Sequence, residues 1–229
     1  MASPTTPSHW PSLAEAFDAA LVEWPHHIDS SWASSWPVWA SGGGDAAARR
    51  ARWMAFARWC GAPPGFRELD TPLGRWCLLP RDQRLARLCA LALALRPGVW
   101  RSCVRREARR ALAGFLGPAS SVLASGAHGG ACVNAALAER PPVEWAWVGH
   151  ADITRAGAWP TRGLRRWARL GLPRAHPVVL RQALAGAADR LELEDRLAEV
   201  DRCFEAAART QAAAHARSSD EHEGQEGAA

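Results

Sequence analysis

The 229-residue chain has no lysine and no tyrosine, and isoleucine and asparagine are nearly absent. All 28 positive side chains are therefore arginine, set against 23 carboxylates for a formal net charge of +5. The missing residues have AT-rich codons while Ala, Arg, Gly and Pro are plentiful, which points to a GC-rich bacterial genome. The arginine excess then says less about nucleic acid than a pI near 9.3 suggests, although a positive field still favours acidic partners. Without lysine a G-x-x-x-x-G-K-[ST] phosphate loop cannot be completed. G-x-G-x-x-G, H-E-x-x-H and G-x-S-x-G are missing too. The six cysteines, Cys60, Cys77, Cys89, Cys103, Cys132 and Cys203, make no C-x-x-C pair and no zinc spacing with histidine. They read as buried free thiols in a reducing compartment. The longest apolar run, Leu88 to Leu95, is far short of the ~20 residues of a membrane helix. The opening Met-Ala-Ser-Pro-Thr-Thr-Pro has no basic start followed by an apolar stretch, so no secretory leader is visible. A cytosolic protein is the expectation.

What is present is enough for a folded core: 48% of residues are hydrophobic and 22% charged. The pattern predicts a mainly α single domain with a central Leu-rich helical hairpin and a long C-terminal helix. A flexible tail over 1–11 precedes a helical domain over 12–215, and an acidic, disordered tail over 216–229 follows it. Ser12 and Glu15 form an S-x-x-E capping box for a first helix that Pro25 stops. Ser41-Gly-Gly-Gly44 is a flexible joint, Asp45 caps the next helix, and Gly61 ends it. From Arg81 to Leu95 apolar side chains cover nearly the whole helical circumference, as expected of the buried centre. After Pro97-Gly98 a second helix to about Leu116 places Trp100, Val104, Ala108, Ala111 and Phe115 on one stripe. Arg105, Arg106, Arg109 and Arg110 lie opposite. Short helices are expected over 119–124 and 132–137. Val143 to Val148 alternates like a short strand, although Trp145 and Trp147 fit a helix or loop equally well. Thr161 caps a basic helix closed by Gly171 and Pro173. The last helix spans about 178–214, with an apolar stripe that changes face near Glu192 to Asp195.

No catalytic, metal or cofactor site emerges from the residues. His26-His27 with Asp29, His128 and His150 have no supporting spacing. Two features remain as protein-contact candidates. Four of the 13 tryptophans lie between Trp24 and Trp39, and Trp32, Trp36 and Trp39 either plug the end of a helical core or form an aromatic binding surface. The arginine face of Arg105, Arg106, Arg109 and Arg110 is either a solvated surface or a site for an acidic protein. Two other classes stay open. The stretch from Thr161 to Arg169 has the look of a nucleic-acid recognition helix, but no companion helix-turn-helix spacing is evident. A small helical enzyme would require a pocket with convergent polar groups.

Three stretches carry a family resemblance. His27-Ile-Asp-Ser-Ser-Trp32 is similar to an early "His-Pro-Ser-Trp" element, with Asp-Ser in place of Pro-Ser. Leu79-Pro80, the Leu85 to Leu95 run, Trp100 and Ala111-Leu-Ala-Gly-Phe-Leu-Gly117 resemble a central Leu-rich hairpin. Leu164-Arg-Arg-Trp-Ala-Arg-Leu-Gly-Leu-Pro173 resembles a later basic element ending in Leu-Pro. Together they resemble the K subunits of bacterial type III secretion systems, the SctK/YscK-type accessory proteins of the cytosolic sorting platform, nearest the Hrp-type branch. The resemblance implies a non-enzymatic adaptor without cofactor, metal or small-molecule substrate. Its implied partners are the pod protein of the platform and the cytosolic domain of the inner-membrane ring protein. The implied location is the cytosolic face of the inner membrane, with protein export lost in its absence.

Overall fold

A computed structural model describes residues 10–35, 46–126, 133–177 and 189–226. Helix α1 (Trp10–Val22) leads into two 3-10 turns, Trp24–His27 and Ser30–Ser35. Then come α2 (Ala46–Cys60), α3 (Phe66–Leu69), α4 (Pro72–Leu78), α5 (Arg81–Ala94), α6 (Gly98–Ser102) and α7 (Arg106–Leu116). The chain continues with α8 (Ala119–Gly126), α9 (Ala135–Ala138), α10 (Pro142–Arg155), α11 (Arg162–Leu170) and α12 (Arg190–Glu226). Among the described residues there is no strand.

Helix α5 is the centre, as its all-round apolar pattern predicts: every residue from Arg84 to Leu93 except Arg87 is buried. Its most extensive neighbour is α10. The two approach so closely at Gly149 that a Cβ there would stand 2.0 Å from the Leu88 carbonyl oxygen. Only glycine permits that spacing. Val143 to Val148 therefore belongs to a helix, not a strand. Trp145 through His150 are all buried, so a helix enclosed on every side shows no clear period in sequence. Leu112 and Leu116 of α7 and Leu193, Leu197 and Val200 of α12 complete this core.

A second cluster joins α1, α2, α3, α4 and α11. Leu21, Phe56, Leu69, Cys77, Leu164 and Trp167 are its buried members. Phe17 meets Phe56 and Trp167 edge to face at 5.7 Å each, a favoured aromatic geometry. Gly61 at φ +90° ends α2, a conformation that costs glycine least. Thr161 accepts a hydrogen bond from the Leu164 amide at 3.1 Å, the N-cap its position predicts.

Three boundaries differ from the sequence reading. Helix α1 starts at Trp10, so Ser12 lies in its first turn and does not cap it; Pro11 fits there because a first-turn residue needs no amide donor. The second arm of the hairpin breaks at Cys103 to Arg105, where Cys103 has ψ 87° and Arg105 ψ 127°. These extended residues rotate the following turn, so Val104 is 70% exposed and the inner stripe runs through Ala108, Leu112, Phe115 and Leu116. Helix α12 continues past 214 to Glu226, through residues expected to be a disordered acidic tail. The described part begins at Asp189, whose carboxylate accepts from the Glu192 amide at 2.8 Å. The change of apolar face falls at that start: Leu191 is 75% exposed while Leu193 is buried.

Helix α12 is latched to the centre by polar contacts. The Trp76 indole donates to the Asp201 carboxylate at 2.6 Å, and the Arg87 guanidinium lies 4.5 Å from the Phe204 ring centroid. From Ala208 to Ala213 every side chain is exposed, so the helix leaves the body there.

Candidate interaction site

The segment from His27 to Trp32 is not a loose aromatic loop. Its Asp29 amide donates to the Leu170 carbonyl at 2.9 Å, and the Trp32 indole donates to the Leu172 carbonyl at 2.9 Å. In return the Arg174 amide donates to Ser31 Oγ at 2.8 Å. From α5, Arg81 donates to the Asp29 carboxylate and to the Gly171 carbonyl, the latter at 2.9 Å. Arg84 donates to the carbonyls of His27 at 2.6 Å and Cys77 at 3.1 Å. Three stretches remote in sequence thus converge on the C-terminus of α11.

Cations suit that position, because unsatisfied carbonyls gather at helix ends. Arg169 lies between two indoles, 4.7 Å from the Trp32 centroid and 3.9 Å from that of Trp147. Its guanidinium donates to the carbonyls of Leu172, Pro173 and Arg174. Burial pulls Arg169 down to about 10, as it does Arg84, and both stay charged at neutral pH. Burial alone would raise Asp29, but hydrogen bonds from Ser31 and the Arg81 charge hold it below its usual value.

A family model described as bacterial type III secretion protein (HrpB4) matches residues 10–212. The chain belongs to the HrpB4 family. No curated protein and no solved structure matches it. The HrpB4 match takes in both cores and the junction, and it ends where α12 has emerged from the body.

In this HrpB4-family chain the candidate contact residues separate. Trp32 is half-buried and its indole donor is spent within the fold. Trp36 and Trp39 lie outside the described residues. Arg105, Arg106, Arg109 and Arg110 are all exposed on α7 and the residue before it. Arg105 stands 3.1 Å from the Glu139 carboxylate, and Arg109 donates to the Cys103 carbonyl at 3.1 Å. Those two brace the break before α7. Arg106 and Arg110 are one turn apart and in no ion pair among the described residues, which leaves them the outward-facing pair. The basic helix α11 buries Leu164, Trp167 and Ala168 and commits Arg169 to internal carbonyls, while Arg162 is exposed.

Two of the histidines are buried. His27 is 2% exposed; its burial, with the Arg84 and His26 charges adding, lowers the imidazole to about 4. His150 lies between Trp147 and Trp159, donates from Nε2 to the Arg165 carbonyl at 3.2 Å, and is also lowered by burial to about 4. The unfolded chain binds both protons near 6.5, the ordinary value for an imidazole, the folded chain only near 4. Stability is therefore complete above pH 6.5 and falls as pH drops from 6.5 toward 4. Each imidazole removes up to about 3 kcal/mol over that window. Urea titrations at pH 7 and pH 5 check this: the midpoint falls at pH 5 in the native chain, and the fall shrinks in His150→Gln. Equal losses in both would assign the acid sensitivity elsewhere.

Sequence reasoning missed Arg84, Arg169 and Asp29 as organising residues. In a chain whose every cation is arginine, nothing marks one as buried. The Asp-Ser pair was the available signal: Asp29 accepts from the Ser31 amide at 3.0 Å, the turn that Asp favours. The described cysteines Cys60, Cys77, Cys89, Cys103 and Cys203 are free and buried, as their apolar neighbours predict. Burial pushes the Cys77 thiol up to about 12.

Proposed function

We propose that this chain is a non-enzymatic adaptor of a type III secretion system, a K-type subunit of the sorting platform in the Hrp branch. It links the pod protein to the cytosolic domain of the inner-membrane ring protein, works at the cytosolic face of the membrane through these partners, and is required for export. It uses no cofactor and no small-molecule substrate. The observation that carries the reading is the HrpB4 match across residues 10–212, which takes in almost every described helix. Among the described residues no helix is long and apolar enough to cross a membrane, which suits attachment through partners. The outward pair Arg106 and Arg110 offers an acidic partner surface two charges that the fold does not consume.

Reversing both charges, Arg106→Glu with Arg110→Glu, is expected to reduce secretion to the level of a deletion. The melting temperature should stay within about 2 °C, because exposed substitutions away from contacts shift stability by only about 0.5 kcal/mol. Arg105→Glu is the less clean test, since it also breaks the contact with Glu139. Full secretion by the folded double variant would remove this face from the adaptor reading.

A further inference from the structure

Helices α1 and α2 and the turn leading into α3 enclose a groove of about 540 Å³ lined by Phe17, Leu21, Trp53, Phe66 and Leu69. Trp53 and Phe66 stay 37% and 44% exposed in a chain that buries Trp145 and Trp167 completely. The rings are held in place: Trp53 meets Phe17 edge to face at 5.7 Å and stacks on Phe56 at 6.2 Å. A surface fixed in this way loses little freedom on binding. Two carboxylates, Glu15 and Asp18, also line the groove. They are exposed, three residues apart on α1, and make no hydrogen bond or ion pair among the described residues. An acidic rim on a chain of net charge +5 selects for an oppositely charged occupant.

We propose that this groove receives a basic amphipathic helix of a partner protein, with bulky apolar side chains between Trp53 and Phe66 and Arg or Lys against Glu15 and Asp18. The occupant is helical because the walls offer no backbone to pair with. Most of the wall is helix with its own bonds made; in the turn, Pro64 has no amide and the Gly65 amide is already taken by the Glu68 carboxylate. An extended peptide would bury unpaired N–H and C=O groups, whereas a helix brings them satisfied. The occupant is basic because both ionic lining residues are acidic. Of the chain's own segments outside the described residues, 178–188 alone contains an arginine, Arg181, and one cation does not match a rim of two carboxylates. This surface is independent of the α7 face and stands if that face fails.

The test uses the full chain and two synthetic helical peptides of roughly four turns, with the same leucine stripe and either Arg or Glu beside it. Fluorescence anisotropy is expected to show about tenfold tighter binding of the Arg peptide. In the double variant Glu15→Arg, Asp18→Arg the preference inverts, with the melting temperature unchanged. Should that variant melt early, Phe66→Ser removes an exposed ring instead and weakens the Arg peptide by about tenfold. Equal binding of both peptides, a preference that survives the charge swap, or full affinity in Phe66→Ser would overturn the proposal. So would concentration-dependent dimerisation abolished by the swap, because that assigns the groove to a second copy of the chain.

Discussion

Gly149→Ala is expected to lower stability by about 3 kcal/mol, seen as a drop of about 6–12 °C in the thermal midpoint by circular dichroism. The added methyl would stand 2.0 Å from the Leu88 carbonyl oxygen and 2.8 Å from its carbon. Backbone cannot swing aside as a flexible side chain can, so α5 and α10 must separate. Their separation loosens the most extensive helix pairing among the described residues, and with it the burial of Leu88, Leu91 and Trp145. Gly114 in α7 is the internal control: nothing lies within 4 Å of a Cβ placed there. Gly114→Ala should stabilise by about 0.5–1 kcal/mol through helix propensity. Opposite signs for the same substitution in two helices would assign the difference to packing at Gly149. A Gly149→Ala midpoint within 2 °C of the native chain would mean that α5 and α10 do not touch as described.

Arg84→Ala should cost about 4 kcal/mol. Arg84 is 1% exposed, with no carboxylate partner among the described residues; its guanidinium serves the His27 and Cys77 carbonyls at the ends of the first 3-10 turn and α4. Truncation empties the volume of a long side chain and strands two buried acceptors, each worth about 1–3 kcal/mol. Release of an unpaired buried charge offsets part of that loss. Arg84→Met separates the contributions, because it fills the space and removes the charge while still abandoning the carbonyls. Its cost should be about half as large. A Cβ at Gly171 would lie 2.5 Å from the same guanidinium, so a larger residue there must displace the tip of Arg84. Hydrogen exchange adds a local readout: protection of the Asp29 and Trp32 amides should fall in Arg84→Ala before that of α5. Uniform loss across the chain would deny Arg84 its role at the junction.

Elements whose signals are local were legible from sequence. Helix α5 showed itself by apolar residues on every face, α2 by its closing Gly61, and α11 by the Thr161 cap. The α10 helix was ambiguous because complete burial erases periodicity, and its decisive residue, Gly149, looks like any glycine until Leu88 stands against it. The break at Cys103 to Arg105 was hidden because Val104 fits a continuous helical stripe by spacing alone. The junction was legible only as an unexplained set of motifs. His27 to Trp32, the start of α5 and the end of α11 each carried part of the family resemblance, and folding places them in hydrogen-bonding contact. What joins them is a set of long-range hydrogen bonds from arginine, indole and backbone donors, which leave no mark in local sequence. The contact face was half legible. The arginine cluster was evident, but the division between Arg105 and Arg109, which brace the fold, and Arg106 and Arg110, which face outward, depends on Glu139 and the Cys103 carbonyl.

The adaptor reading is tested most directly by affinity purification of the tagged full chain from its native cytosol, beside the Arg106→Glu, Arg110→Glu variant, with mass spectrometry of what is retained. The account predicts recovery of the pod protein and the inner-membrane ring component with the native chain, and loss of at least one of them with the variant. Retention of neither component by the native chain at low salt, or retention of nucleic acid in their place, would contradict it.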